Sequence, residues 1–246
     1  MKKVPIISVI IPAFNEEEST KETLLSLKNQ KTMVPYEVIV CDNNSKDKTY
    51  SIAQEYADKV INEAMQGGVY ARNTGFKHSK GKYLVHTDAD TIFPDNFIEK
   101  VYKIFMTDKY VGFTCGKWNL YAGKKLSMKF KTALWNFLYT NYMKIQSIRN
   151  IVTLVGWCLC TPRKVFEKVG GFSPRNDYFE DMLYSYKIDH LGDFKYFNEI
   201  NVRSSTRRLE SGILNFIKYY AKKNAKISDI VRLATRKKYS KPFIIN

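Results

Sequence analysis

Two periodicities take turns along the first half of the chain. Ile6–Ile11 is a continuous apolar run, the pattern of a strand buried on both faces. Glu37–Cys41, Lys59–Ile61, Tyr83–Thr87 and Val111–Cys115 are further short strand-like runs. Helical spacing fills the gaps between them. Asn15 can cap a helix that carries Glu16, Glu17 and Glu18 in its first turn, where the helix dipole favours acids, and that turns Leu24 and Leu27 inward. Ser45 or Asp47 can cap a second helix with Ile52, Ala53 and Tyr56 at helical spacing, and Gly67–Ser79 reads as a third. Asp95 can cap a fourth, Asn96–Met106, with Phe97, Val101, Ile104 and Phe105 inward. Strands alternating with helices predict an α/β fold with a mainly parallel sheet and right-handed crossovers. Ligands in such sheets bind at the carboxyl ends of the strands. Asp42 ends the second strand and Asp88-Ala89-Asp90 ends the fourth, which predicts one shared site.

The second half has a different texture. Met128–Ile148 reads as an aromatic-rich helix and Val152–Thr161 as a strand. Pro162–Val169 reads as a helix closed by Gly170-Gly171, and Tyr178–Leu191 as a helix that starts near Glu180-Asp181 and ends at Gly192. Phe194–Phe197 is a late strand and Ile213–Lys238 a basic helical tail. The expected organisation is a ligand-binding half over 1–116, a second half of the same domain over 117–210, and a basic amphipathic tail over 211–246.

Charge changes this picture. The net charge is +16, yet residues 1–116 carry fifteen bases and fifteen acids. Residues 117–150 carry seven bases and no acid, and residues 201–246 carry twelve bases and two acids. A neutral body with two basic attachments is not a uniformly basic nucleic-acid coat, and no nucleic acid is expected as a partner. No uncharged apolar run reaches the roughly 18–20 residues of a membrane span. The opening MKKVPIISVIIPAF imitates a signal peptide, but Pro5 and Pro12 interrupt it and Glu16–Glu18 follow, so it reads as a first buried strand. Cys41, Cys115, Cys158 and Cys160 lack C-x-x-C spacing, the usage expected of a reduced, cytoplasmic protein.

Asp88-Ala89-Asp90 is the sharpest chemical feature. Two carboxylates one residue apart at a strand end can face one hard cation, Mg2+ or Mn2+, together with a diphosphate. The same segment, His86-Thr87-Asp88-Ala89-Asp90-Thr91, also reads as the D-x-D-x-T of haloacid-dehalogenase-type phosphatases, although there the motif follows the first strand. A non-catalytic nucleotide-sugar or nucleic-acid binding protein is the third reading. A dinucleotide-dependent oxidoreductase is disfavoured because the chain contains no G-x-G.

Five segments occur in one order: VIIPAFNEE, EVIVCDNNSKDKT, ARNTGFKHSKGKYLVHTDAD, VFEKVGGF and YFED. Together they closely resemble the family 2 glycosyltransferases of the GT-A fold, over about residues 6–210. The resemblance implies a non-processive, inverting transfer from a UDP- or GDP-sugar to an acceptor hydroxyl. It implies that Pro12, Ala13 and Glu16 border the nucleoside, that Asp42 contacts the base, and that Arg72 and Asn73 lie beside the diphosphate. Asp88 then falls near the ribose, Ala89 between the acids, and Asp90 on the metal, with Asp88 as its neighbour in that role. Glu180-Asp181 matches the acid pair whose Asp is the general base, and Gly156, Trp157 and Gly171 fall in the acceptor region. Arg203, Arg207 and Arg208 fall where relatives have a mobile loop over the diphosphate.

The departures also matter. The usual D-D-G-S is Asp42-Asn43-Asn44-Ser45, which lacks the second carboxylate and leaves the donor open. No Q-x-x-R-W segment is present, which argues against a processive synthase, and no His follows His190. His86 reads as a core histidine rather than a ligand. The basic segments mix Lys and Arg with Trp135, Phe137, Tyr139, Phe216, Tyr219 and Tyr220, the composition of interfacial helices. The expectation is a peripheral enzyme at the inner membrane face with a glycan, polyprenyl-linked or lipid acceptor.

Overall fold

The apolar runs become strands whose alternate residues are buried on opposite faces of one sheet. A computed structural model describes residues 4–115, 119–121, 130, 132–134, 136–137, 141, 158–174, 180–197 and 200–205. In chain order the strands are β1 (Ile7–Ala13), β2 (Tyr36–Asp42), β3 (Lys59–Asn62), β4 (Tyr83–Thr87), β5 (Thr91–Ile92), β6 (Tyr110–Cys115), β7 (Asn119–Tyr121), β8 (Cys158–Pro162), β9 (Asp193–Phe197) and β10 (Arg203–Ser205). The helices are α1 (Glu17–Lys28), α2 (Thr49–Tyr56), α3 (Gly68–His78), α4 (Phe97–Phe105), α5 (Arg163–Lys168) and α6 (Glu180–Ile188).

Seven strands form one sheet in the order β3-β2-β1-β4-β8-β6-β9. β1 is parallel to β2 and β4, β2 to β3, and β6 to β9, while β8 runs antiparallel to both of its neighbours. The expected mainly parallel sheet is therefore present, with one reversed strand. Val9, Ile11, Val40 and Val85 join Leu24, Phe97 and Val101 in one apolar cluster. Ile10, Leu84 and Leu159, offset by one residue, join Phe166, Phe172 and Tyr184 in the other. A strand buried on both faces loses the polar alternation of a half-exposed one, which is why Ile7–Ala13 reads as a solid apolar run.

Three short strands, β5, β10 and β7, pair in a second sheet in that order. Two or three residues such as Arg203-Ser204-Ser205 carry no periodic signal, so these strands are absent from the sequence reading. Arg203, expected in a mobile loop, instead pairs with Ile92 of β5 and Asn119 of β7.

Two helix starts differ from expectation. Asn15 has φ 53° and precedes Glu16, which occupies the cap position of α1. Its side chain instead accepts the Lys46 N–H at 2.8 Å and ties α1 to the turn before α2. Asp95 pairs with Lys31 at 2.6 Å, and Asn96 takes the cap position of α4. Asp47 does serve α2, accepting the Thr49 N–H at 2.9 Å. Positions 130, 132–134, 136, 137 and 141 are helical. The remainder of Met128–Ile148, the stretch before Cys158 and the tail over 211–246 lie outside the described residues. Among the described residues no helix is long and apolar enough to cross a membrane.

The amino-terminal end of the sheet is closed by a polar network. Ser8 Oγ donates to Glu37 Oε1 at 2.7 Å and accepts the Gly81 N–H at 2.7 Å. Glu37 also accepts from the Lys80 N–H at 2.6 Å and from Lys59 Nζ at 2.8 Å. Burial pushes the Glu37 carboxyl up, and Lys59, Ser8 and Lys80 outweigh that, holding it below the usual carboxylate range.

Candidate functional site

The carboxyl ends of β1, β2 and β4 lie side by side because β1 sits between the other two. Pro12 and Ala13 pair with Cys41 and Asp42. Asp42 is 3% exposed. Its Oδ2 accepts the Ser45 N–H at 3.1 Å, whereas its Oδ1 is buried with no hydrogen-bond partner. Glu16 stands at the mouth of the same edge, with its N–H on Thr49 Oγ1 at 2.7 Å and its carboxylate accepting from Ser19 at 3.0 Å. Asn43, which follows Asp42 at the strand end, donates its two amide hydrogens to the carbonyls of Glu63 and Met65, each at 2.8 Å. Its Oδ1 accepts the Gly67 N–H at 2.6 Å. Gly67 has φ 141°, a conformation that glycine tolerates, so this clamp sets the start of α3. A carboxylate could not donate to two carbonyls, which gives a physical reason for Asn at this position.

Asp88-Ala89-Asp90 is held from three sides. Arg72 of α3, 4% exposed, donates from Nη2 to Asp88 Oδ1 at 2.5 Å and from Nη1 to the Thr87 carbonyl at 3.0 Å. Thr23 of α1 donates to the Ala89 carbonyl at 2.9 Å. From β10, the Ser205 N–H donates to the Asp90 carbonyl at 3.2 Å, and Ser204 Oγ donates to Asp90 Oδ1 at 3.3 Å. Thr23, Ser204 and Ser205 are positioning residues that the sequence did not single out. Isolated hydroxyl residues carry no motif, and β10 comes 114 residues after Asp90.

The acid pair opens α6, where the helix dipole favours carboxylates. Arg72 brings it to Asp88 at the end of β4: its Nε lies 3.7 Å from Glu180 Oε1. Asn73, next along α3, holds Phe172 by both backbone groups, donating to its carbonyl at 2.9 Å and accepting its N–H at 3.1 Å. Gly171, at φ 66°, allows this approach, because a Cβ there would lie 2.8 Å from Asn73 Oδ1. The structure thus joins Pro12, Ala13, Asp42, Arg72, Asn73, Asp88, Ala89, Asp90, Gly171 and Glu180 in one edge, with Asp181 next to Glu180. Gly156, Trp157, Arg207 and Arg208 lie outside the described residues.

His86 is fully buried with neither ring nitrogen hydrogen-bonded. It stacks on Phe166 at 5.0 Å and meets the edge of Phe172 at 4.9 Å. Burial, with Arg72 adding to it, holds its pKa well below the ordinary value, so it is a neutral core side chain. Cys41, behind the site, is likewise inert, its thiol pushed up to about 12 by burial and by Glu63 and Asp42.

The donor set fits a divalent cation shared with a ligand. Asp90 is 7% exposed and Asp88 is two residues away, both offering hard oxygen atoms. Among the described residues no three His, Cys, Asp or Glu side chains cluster as a complete metal cage. Mg2+ and Mn2+ are commonly held by one or two carboxylates plus phosphate and water, which is what such an edge can supply.

The sequence profile of glycosyl transferase family 2 matches residues 8–170. The chain belongs to this family. WfgD of Escherichia coli, a UDP-Glc:alpha-D-GlcNAc-diphosphoundecaprenol beta-1,3-glucosyltransferase, is 26% identical over 161 residues, covering 64% of this chain and 62% of that protein. The probable glycosyltransferase YdaM of Bacillus subtilis is 28% identical over 212 residues, covering 78% of this chain and 48% of that one. Among solved structures, residues 1–349 of TarS of S. aureus with UDP-GlcNAc superpose with a TM-score of 0.64 at 18% identity, over 81% of this chain and 58% of that one. The mannosyltransferase PcManGT of Pyrobaculum calidifontis with GDP-Man and Mn2+ gives 0.61 at 21% identity, over 82% and 57%. At that identity the two structures establish the GT-A fold alone. This family 2 chain spans less than two thirds of the length of each of these four proteins. Family membership also sets aside the phosphatase reading, whose motif belongs after a first strand rather than after β4.

Proposed function

We propose that this family 2 chain transfers a sugar from a uridine diphosphate sugar to an acceptor hydroxyl with inversion. The observation that carries the reading is Arg72, which touches Asp88 at the end of β4 and approaches Glu180 at the start of α6, so that donor-side and acceptor-side acids share one cleft edge. Asp42 supports the choice of base. One of its oxygens is taken by Ser45 and the other is buried without a partner. A single buried acceptor matches a base that offers one N–H on that edge, as uracil and thymine do, whereas guanine offers two adjacent donors.

Asp90, with Asp88, would hold Mn2+ or Mg2+, which when bound would neutralise charge on the leaving diphosphate. Asp181 accepts the proton of the acceptor hydroxyl as its oxygen bonds to the anomeric carbon. The bond from that carbon to the diphosphate breaks on the opposite face, and nucleoside diphosphate leaves. One displacement inverts the centre and needs no covalent intermediate. Titration of UDP-, GDP- and dTDP-sugars with Mn2+ tests the reading. The expected result is binding with a preference for the uridine over the guanosine donor, lost at least 100-fold in Asp90→Ala; no binding of any of the three, or unchanged binding by the variant, contradicts it.

We further propose a lipid-linked acceptor and a cytoplasmic enzyme at the inner membrane face. Phe130, Leu134 and Phe137 are 73%, 48% and 66% exposed. They lie at helical spacing within a segment, 117–150, that has seven bases and no acid. Flotation with vesicles containing anionic lipid should recover the protein, and equal recovery with neutral vesicles would count against this surface.

A further inference from the structure

We infer that Arg72 is a positioning residue that couples nucleotide binding to the acid pair, rather than a direct ligand of the diphosphate. This inference rests on the functional reading above. The guanidinium is buried, and both of its Nη atoms are committed to the protein, to the Thr87 carbonyl and to Asp88. Buried and holding two protein acceptors, the guanidinium is turned into the protein rather than outward to where a phosphate would enter.

Its Nε is the informative donor. Nε is buried and makes no hydrogen bond, although Glu180 Oε1 lies 3.7 Å away. A hydrogen bond to a carboxylate forms at about 2.7–3.2 Å, so a movement of about 0.5–1 Å at the start of α6 would complete it. Buried donors that lack a partner are rare in folded proteins, and this one lies beside the Glu180 carboxylate, which can satisfy it. Asn73 holds Phe172 by both backbone groups at the same time. The helix α3 therefore grips the exit of β4 with one side chain and the segment before α6 with the next.

Occupancy of the donor edge, felt at Asp88, passes through the planar guanidinium to Glu180 and sets where Asp181 stands. Lysine at position 72 would keep the charge, but a single ammonium cannot reproduce the guanidinium fork that reaches Thr87, Asp88 and Glu180 at fixed angles.

The test is hydrogen exchange of the full chain with and without UDP and Mn2+, comparing wild type, Arg72→Lys and Glu180→Gln. Calorimetry with UDP runs in parallel. In wild type, UDP should slow exchange of the amides at 184–188 by tenfold or more. In Glu180→Gln, whose side chain is 28% exposed and tolerates replacement, UDP should bind within about twofold of wild type while its protection of 184–188 falls below twofold. Arg72→Lys should behave alike if it folds. A purely structural role would change exchange in the absence of UDP and leave the UDP-dependent increment intact. Full protection retained in Glu180→Gln overturns the inference alone. Failure of wild type to bind UDP, GDP or dTDP with Mn2+ overturns the functional reading and the inference with it.

Discussion

At the amino-terminal ends of β1, β2 and β3, Ser8, Glu37 and Lys59 meet in a network in which every buried polar side-chain atom has a partner. At the carboxyl ends of β1, β2 and β4, equally buried side chains are left incomplete: Asp42 Oδ1 and Arg72 Nε have no hydrogen bond. The two ends share strands, burial and residue chemistry. They differ in whether the protein satisfies its own polar groups. An unpaired buried polar atom costs about 1–3 kcal/mol, so two of them at one strand-end edge point to a bond that a ligand completes, although Thr91 Oγ1 and Thr132 Oγ1 are unpartnered too. His86 bounds the rule. It too is unpartnered, but it lies between Phe166 and Phe172 inside the apolar core, where it is neutral and no ligand can reach it.

The comparison makes separable predictions. The largest effect is expected at the upper edge. Asp181→Asn should lower transfer by ~10³-fold through loss of general base help, while donor affinity and melting temperature stay near wild type. Transfer within tenfold of wild type would remove Asp181 from that role. At the lower end the opposite split is expected. Glu37→Ala leaves Ser8, Lys59 and the Lys80 N–H without their acceptor and should cost about 2–3 kcal/mol of stability, with UDP-sugar affinity unchanged in the folded protein. Because the Glu37 carboxyl is held below its ordinary value in the fold, its contribution is present at neutral pH and is lost as pH falls below about 4.5. Wild type and Glu37→Ala should therefore converge in stability in acid. Parallel stability curves from pH 7 to 3 would show that the network contributes nothing through charge.

The centre of the main sheet was legible because β1, β2 and β4 are buried on both faces and so appear as largely apolar runs. Tyr83–Thr87 matches the observed strand residue for residue. The antiparallel direction of β8 was not legible, since direction leaves no mark on five residues of composition. The second sheet was missed because strands of two or three residues carry no periodic signal, and with it Ser204 and Ser205, which hold Asp90. The site acids were legible as types and positions. Their states were not: a sequence shows Asp42 at a strand end but not which of its oxygens is taken. The Asn43 departure, which from sequence left the donor open, becomes a clamp on Glu63, Met65 and Gly67 once the hydrogen bonds are seen.

The central claim is that the incomplete upper edge is a nucleotide site. Its most direct test is calorimetric titration of UDP-sugar with Mn2+ into wild type and Asp42→Ala. The expected result is binding by wild type and a loss of roughly 10- to 100-fold in the variant, the worth of a hydrogen bond to a buried charged acceptor. Equal affinity in both proteins would contradict the account.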